Sequence, residues 1–185
     1  MNIEKVRRAE VGSFPIGFGT YIKKMKGEAK NKTNLNYTDL MISAVGCLIA
    51  MSIISIIAIA LGYPMALGPI GASCLLIFGV HNGPFSQPRQ IVGGHLLTTF
   101  ASLTIWDLFG RSFLTIGITL AVVIILMVIT NTIHPPAAAS AIVAINSEAG
   151  WGFIPCMIVC SLLLVVISLF YNNLFQSRQY PKHWI

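Results

Sequence analysis

A histidine and two adjacent prolines interrupt strongly apolar sequence between residues 130 and 145, and this interruption limits the possible folds more than any other feature. The run reads TNTIHPPAAASAIVAI. Pro135 and Pro136 lack amide protons and disfavour the α conformation in the residue before them, so a helix ending near Thr130 must give way to another starting around Pro136. In hydrocarbon such a break is tolerated only where it lines a cavity or is buried in protein. It is therefore the first candidate for a functional centre.

The composition predicts an integral membrane protein in a lipid bilayer, because 55% of the 185 residues are apolar and only 10% are charged. Eight of the twelve lysines and arginines precede residue 33, so the basic pI reflects a tail and does not indicate nucleic acid. Positive-inside bias places this tail in the cytoplasm, and Arg178 with Lys182 places the C-terminus there too. We expect a multi-pass protein of a bacterial inner membrane.

Six apolar segments predict an all-α fold, a compact bundle of four full spans plus two short or broken half-helices. The second and fifth segments are too short to cross about 30 Å of hydrocarbon, and the third and fourth are near the lower limit. The segments cover residues 40–61, 66–80, 91–108, 113–130, 136–146 and 152–174. The predicted domains are a basic cytoplasmic tail (1–38), a transmembrane domain (39–175) and a cytoplasmic C-terminal tail (176–185).

The two short segments begin alike, which suggests an internal repeat. LGPIGASCLLIF from Leu67 and HPPAAASAIVAI from His134 place Pro69 over Pro136 and Ser73 over Ser140. The same offset lays the first three apolar segments over the last three, so the possible repeats are residues 40–108 and 113–175. If the short segments cross fully, there are six spans and the halves are inverted. If they are re-entrant, there are four spans and the halves run parallel.

Two helix starts, near Pro69 and Pro136, predict a central anion site, since helix N-termini present free amide protons and partial positive charge. Ser73 and Ser140 lie one turn inside and could donate to an oxyanion, or could simply bond their own backbone carbonyls. Gly71 permits close backbone approach in the same segment. His134 could donate to an anion or exchange a proton, or could cap the broken backbone.

The polar run from His81 to Leu96 adds further candidates. Arg89 is the only lysine or arginine between Lys32 and Arg111, so it could attract an anion or serve as a boundary anchor. We assign His95 to a pore or a polar network, since a buried ring needs a partner. The predicted site also includes Gln87 and, with a structural role favoured, Asn131.

Several other functions are disfavoured. No carboxylate is expected at the membrane centre, so we predict no metal site, and no nucleotide-binding pattern or cofactor motif is present. An evident pair of nucleophile and base is lacking, so we expect no enzyme. Asp107 and Arg111, four residues apart, predict an ion pair at the membrane interface.

The chain resembles the HPP family of integral membrane proteins, which is named for the motif present here as His134, Pro135 and Pro136. The match includes the segment GPIGASCLLIF at residues 68–78, and it covers roughly residues 40–175. Further matching positions are Gln87, Pro88, Arg89, Gly93, Gly94, His95, Tyr171 and Asn172. The resemblance implies a small multispanning helical protein, usually described with four transmembrane helices. Some plastid and cyanobacterial relatives are associated with nitrite transport.

The favoured function is a transporter or channel for a small monovalent inorganic anion, nitrite or nitrate by preference, bound near the midplane between the broken helices. Short helices need neighbours to seal a pore, so we expect a homo-oligomer. The alternative is a sensor or scaffold module that acts through the basic tail, whose run VGSFPIGFGTYI could dock on protein or lipid.

Overall fold

The structure is a computed structural model that describes residues 17–25 and 36–184. These residues form seven α-helices and no β-strand, which confirms the all-helical prediction. The helices are α1 (Phe18–Met25), α2 (Tyr37–Ala60), α3 (Leu67–Gly79), α4 (Pro88–Phe109), α5 (Phe113–Ile129), α6 (Pro135–Asn146) and α7 (Phe153–Asn172). Short 3-10 turns at Pro64–Ala66 and Pro84–Ser86 precede α3 and α4. Most of the predicted basic tail, residues 1–16 and 26–35, lies outside the described residues.

Each predicted apolar segment contains one helix, and the prolines set the break as expected. Helix α5 ends at Ile129 and α6 begins at Pro135. Asn131 adopts a left-handed conformation with φ 53°, and the Thr132 amide donates to the Met127 carbonyl oxygen at 2.9 Å. This is a Schellman-type helix end, in which an αL residue lets the chain satisfy the last carbonyls. The backbone therefore leaves α5 without stranding polar groups.

Helices α2, α4 and α7, with 20 to 24 residues, are long and apolar enough to cross a membrane. Helix α5 has 17 residues, the lower limit for a full crossing. The fourth predicted full span therefore stays a prediction. The predicted short segments form α3, with 13 residues, and α6, with 12.

Helix α1 is described on its own. Its apolar residues fall at helical spacing on one stripe: Phe18, Tyr21, Ile22 and Met25. All four side chains are exposed. An exposed apolar stripe beside lysines is typical of a helix that lies at a lipid surface.

Hydrogen bonds gather one set of helix ends around Arg178, and we call this side the Arg178 end. The Arg178 guanidinium bonds Asp39 at the start of α2, the Phe78 carbonyl at the end of α3 and Asn172 at the end of α7. Gln87, directly before α4, accepts from the Lys182 amide at 2.8 Å. Arg89 donates to the Thr130 carbonyl oxygen, and this bond places the end of α5 on the same side.

The opposite helix ends meet around Glu148, and we call this side the Glu148 end. Tyr63, after α2, pairs its ring with Phe153 at the start of α7 at 5.7 Å. Arg111, between α4 and α5, lies 3.6 Å from the Glu148 carboxylate, which follows α6. The six helices α2 to α7 therefore alternate in direction, each running from one end to the other.

The expected ion pair between Asp107 and Arg111 is wrong, because α4 stops at Phe109. Gly110 follows with φ 69°, a conformation that suits glycine and turns the chain away from the helix. Arg111 therefore leaves the helical register that would place it beside Asp107. Its guanidinium instead faces Glu148.

Helix α4 occupies the centre of the bundle and packs against α5, α6 and α7. Helix α3 packs against α2, α6 and α7, and α5 also contacts α6. Buried alanines, among them Ala50, Ala137, Ala141 and Ala144, keep the backbones close. This arrangement encloses the short helices α3 and α6 within protein.

Residues 176–184, predicted as a tail, fold back on the bundle because Arg178 is buried there. Its side chain is 0% exposed and its Nη2 lies 2.7 Å from the Asp39 carboxylate. Nη2 also donates to the Ser43 hydroxyl at 2.7 Å, and Nη1 donates to the Asn172 side-chain oxygen at 3.0 Å. A buried charge that is paired and fully hydrogen-bonded can be retained in the interior.

We expect Arg178→Ala to destabilise the protein by about 1.5–3 kcal/mol, since the buried Asn172 side-chain oxygen loses its charged donor, whereas the Asp39 side chain is 43% exposed and can be hydrated. The measurement is thermal unfolding of the detergent-solubilised protein. Arg111→Ala is the matched control, because that pair is more than half exposed on both sides and should cost no more than about 1 kcal/mol. Equal effects of the two variants would contradict the role of Arg178.

Candidate functional site

Four predicted residues converge in one buried network: Ser73, His95, His134 and Ser140. The Ser73 hydroxyl oxygen lies 2.8 Å from Nε2 of His95 and 2.8 Å from Nε2 of His134. His95 Nδ1 lies 2.9 Å from the Ser140 hydroxyl oxygen. All four side chains are 0% exposed. The four side chains therefore form one polar network, and it is closed to both ends of the bundle in this conformation.

Three helices position the network. His134 is the residue before α6 and has extended backbone, as a residue before proline should. Gly94 lets α4 approach it closely, because a methyl group on Gly94 would lie 2.8 Å from the His134 Cβ. Ser73 and Ser140 sit near the middle of α3 and α6, on the faces turned towards α4. The proline break and the glycine thus bring the two imidazoles together.

The direction of every hydrogen bond follows from one fixed point. The Phe85 carbonyl oxygen, 2.8 Å from His134 Nδ1, can only accept, so Nδ1 carries a proton. In a neutral imidazole Nε2 then accepts from the Ser73 hydroxyl. Ser73 in turn accepts from His95 Nε2–H, which leaves His95 Nδ1 to accept from Ser140. The bonds form a one-way chain from Ser140 to Phe85.

Ser73 has a second acceptor, and this gives the network two arrangements. Its hydroxyl oxygen lies 3.0 Å from the Pro69 carbonyl oxygen. If His134 gains a proton, its Nε2–H must donate to Ser73, and the Ser73 proton turns to Pro69. The rotation of one hydroxyl therefore accompanies the change between neutral and cationic His134.

The predicted free amides at the two helix starts are largely occupied. The Leu67 amide bonds the Pro64 carbonyl oxygen, because a 3-10 turn continues directly into α3. At α6, Pro135 and Pro136 supply no amide proton, and the Ala137 amide donates to the His134 carbonyl oxygen at 2.9 Å. The donors available at the centre are therefore the imidazoles and hydroxyls, and the helix ends contribute mainly their partial charge.

The remaining predicted residues lie outside the network. Arg89 is exposed at the Arg178 end and donates to the Thr130 carbonyl oxygen at 3.1 Å. Gln87 is buried, but its amide braces the loop carbonyls of His81 and Gly83. Gly71 faces Met51 of α2, so it is a packing position. Asn131 ends α5, in the structural role that was favoured for it.

Three features of the site were not anticipated. The Phe85 carbonyl fixes the network, although no sequence pattern marks a backbone acceptor. Ser73 and His134 form a serine–histidine hydrogen bond that no sequence spacing had indicated. Among the described residues no carboxylate bonds either imidazole, so the orienting acid of a catalytic triad is replaced by a carbonyl.

His81, in the loop after α3, lies outside the network. Its pKa is lowered by burial and then by the positive charge of Arg178.

Comparison with known proteins identifies the family. The family model for the HPP transmembrane region matches residues 32–181. The chain belongs to the HPP family. Two transmembrane proteins of Dictyostelium discoideum are also similar. One is 29% identical over 185 aligned positions, which cover 93% of this chain and 60% of the relative. The other is 30% identical over 128 positions, which cover 64% of this chain and 45% of the relative.

This HPP chain thus spans about half to three-fifths of the length of these curated relatives. No solved structure matches it. The network residues His95 and His134 both lie within the matched region, and so do the two serines. Membership confirms the resemblance drawn from the HPP motif and establishes a membrane protein.

We expect Gly94→Ala to destabilise the protein by about 1–3 kcal/mol, because the added methyl group would overlap His134 Cβ and approach the Thr132 carbonyl oxygen. Thermal unfolding in detergent provides the measurement. Gly117→Ala on α5 is the control, since nothing lies within 4 Å of its added methyl group. An unchanged Gly94→Ala protein would argue against close packing of α4 on His134.

Proposed function

We propose that this protein transports a small monovalent anion, nitrite by preference, together with one proton. The observation that carries the proposal is the fully buried chain of hydroxyls and imidazoles between α3, α4 and α6. Ionisable side chains are costly inside a membrane bundle and mark ion or proton pathways. The association of some HPP relatives with nitrite transport agrees with this chemistry.

The proton binds His134 Nε2, and the Ser73 hydroxyl turns towards Pro69. The resulting imidazolium would be expensive to bury alone, but an anion beside it offsets that cost. Nitrite suits the site because it is small and carries two acceptor oxygens. The cation and anion form a neutral pair, so transport is electroneutral and is driven by the anion and pH gradients.

Arg89 has a role at the mouth of the pathway. Its guanidinium lies at the Arg178 end, and it remains exposed while one Nη group bonds Thr130. A fixed positive charge there raises the local anion concentration before binding. The proposed route therefore leads from Arg89 past Phe85 to the buried network.

We further propose that α2 to α7 cross the membrane six times as two inverted halves. The alternating helix directions support this, and so does the packing list, which is unchanged when α2, α3 and α4 are exchanged with α5, α6 and α7. The serines equated by the repeat, Ser73 and Ser140, bond the two nitrogens of one ring, His95. His95 thus lies where the axis relating the halves would pass.

The Arg178 end carries exposed Arg89 and Lys182 and adjoins the start of α2, so we assign it to the cytoplasm. The start of α2 and the end of α7 both lie on that side. The proposed location is the inner membrane of a bacterium. A homo-oligomer would cover the exposed apolar surface of α2, which includes Leu48 and Ile56. We propose no catalysis, because among the described residues a carbonyl and not a carboxylate orients the His134 ring.

We expect His134→Ala to abolish nitrite uptake into proteoliposomes of the purified protein, because the anion then loses its paired charge. The parent flux should rise at lower external pH and should not respond to an imposed membrane potential. Empty liposomes correct for passive nitrous acid leakage. His183→Ala, which changes an exposed histidine near the C-terminus, is the control and should keep the parent flux.

Two outcomes would redirect the proposal. Parent flux in His134→Ala would remove the role of the imidazole, and labelling of Ser73 by a serine-hydrolase probe would favour catalysis. No flux of nitrite, nitrate or formate above empty liposomes would favour a sensor or scaffold module. That second candidate draws support from the exposed apolar stripe of α1.

The topology has its own test in a cysteine-free background. We expect Arg111→Cys to react with a membrane-impermeant maleimide in intact cells, whereas Lys182→Cys should react only after permeabilisation. Six crossings place these exposed positions on opposite sides. Re-entrant short helices and four crossings would place both on the same side, so labelling of both under the same condition would contradict the inverted arrangement.

A further inference from the structure

Two buried hydroxyl groups on α4 have no hydrogen-bond partner. Thr98 and Thr99 are each 0% exposed, and the hydroxyl oxygen of each is unpaired. A buried polar group without a partner destabilises the folded state. Side-chain polar atoms in cores are usually paired, so these two need an explanation.

Other hydroxyls of the bundle are satisfied by their own helices. Thr119 of α5, also 0% exposed, donates to the Thr115 carbonyl oxygen at 2.7 Å. On α4 itself, Ser102 and Thr104 donate to carbonyls three or four residues earlier. Such bonds are the usual solution for threonine and serine in apolar helices. Thr98 and Thr99 do not make them.

Their position continues the network along α4. In helical projection Thr98 and Thr99 lie within about 60° of His95, and they sit roughly 5 Å further along the axis towards the Glu148 end. Helix α6 runs in the same direction beside α4, and its next buried residues beyond Ser140 are Ala141 and Ala144. Those buried alanines offer no hydrogen-bonding side chain.

The one-way chain also stops at Ser140. Its hydroxyl donates to His95 Nδ1, and within residues 17–25 and 36–184 no other group bonds its oxygen. A pathway across the bundle needs a next donor on the far side of Ser140. On α4, the first polar side chains that follow His95 in that direction are Thr98 and Thr99, and their hydroxyls are unpaired.

We propose that Thr98 and Thr99 form a second subsite, in which their hydroxyls donate to the oxygen atoms of a small oxyanion. The anion passes between this subsite and the His134 site, from one end of the bundle towards the other. This inference rests on the proposed transport and names where the anion binds beyond His95. It assigns donors to a substrate that carries acceptor oxygens.

The test exploits opposite effects on stability and function. Valine has nearly the shape of threonine without the hydroxyl, so Thr98→Val and Thr99→Val remove unsatisfied donors and should leave the unfolding temperature unchanged or raised. The double variant should reduce nitrite uptake by about tenfold or more, the loss expected for one to two hydrogen bonds to a charged ligand. A purely structural role predicts the reverse, a lower unfolding temperature.

Two further arms use the full-length protein. Thr119→Val is the matched control, because its hydroxyl is buried but already bonded, and its nitrite uptake should equal that of the parent. Thr98→Ser with Thr99→Ser retains both hydroxyls and should restore most of the flux. Nitrite should also raise the unfolding temperature of the parent and of Thr119→Val, and it should raise that of the double valine variant by less, because the His134 site remains.

The outcomes separate the two proposals. Parent-level flux and an unchanged nitrite-induced shift in the double valine variant would overturn the subsite and leave the transport proposal standing. A parent protein that neither transports nitrite nor is stabilised by it would overturn both. Loss of flux and a smaller nitrite-induced shift in the double valine variant, both rescued by serine, would support the subsite.

Discussion

The hydrogen bond from His134 Nδ1–H to the Phe85 carbonyl oxygen sets the chemistry of the whole centre. At 2.8 Å it fixes which nitrogen of His134 carries the proton, and the remaining hydrogen-bond directions follow from it. It also joins the start of α6 to the turn before α4. The same contact therefore positions a broken helix and gives a polar network inside the bundle a single direction.

The helices and the proline break could be predicted from apolar length and proline chemistry, because both act locally. The convergence of Ser73, His95, His134 and Ser140 was also within reach, since polar groups in apolar helices must find one another. The contacts of Gln87 with Lys182 and of Arg178 with Phe78 could not be predicted, because the partners lie about a hundred residues apart in the sequence. Thr98 and Thr99 gave no signal, since most helical threonines bond their own backbone.

In the proposed repeat, the two halves would share a scaffold but not a chemistry. An offset of 67 residues matches Ser73 with Ser140, yet it places Leu162 and Leu67 opposite His95 and His134. A symmetric pair of hydroxyls thus holds an asymmetric pair of imidazoles. That asymmetry is what allows the network to have a donor end and an acceptor end.

Arg178 also bears on how the protein is made. Its bonds to Asp39 join residues 139 positions apart. The start of α2 therefore lacks this ion pair while the intervening helices are synthesised. Until Arg178 has left the ribosome, the Asp39 carboxylate lacks its partner. Chains that stop short of this residue lack the guanidinium that joins the ends of α2, α3 and α7. The ends of α2, α3 and α7 are therefore joined only after the chain has been synthesised beyond α7.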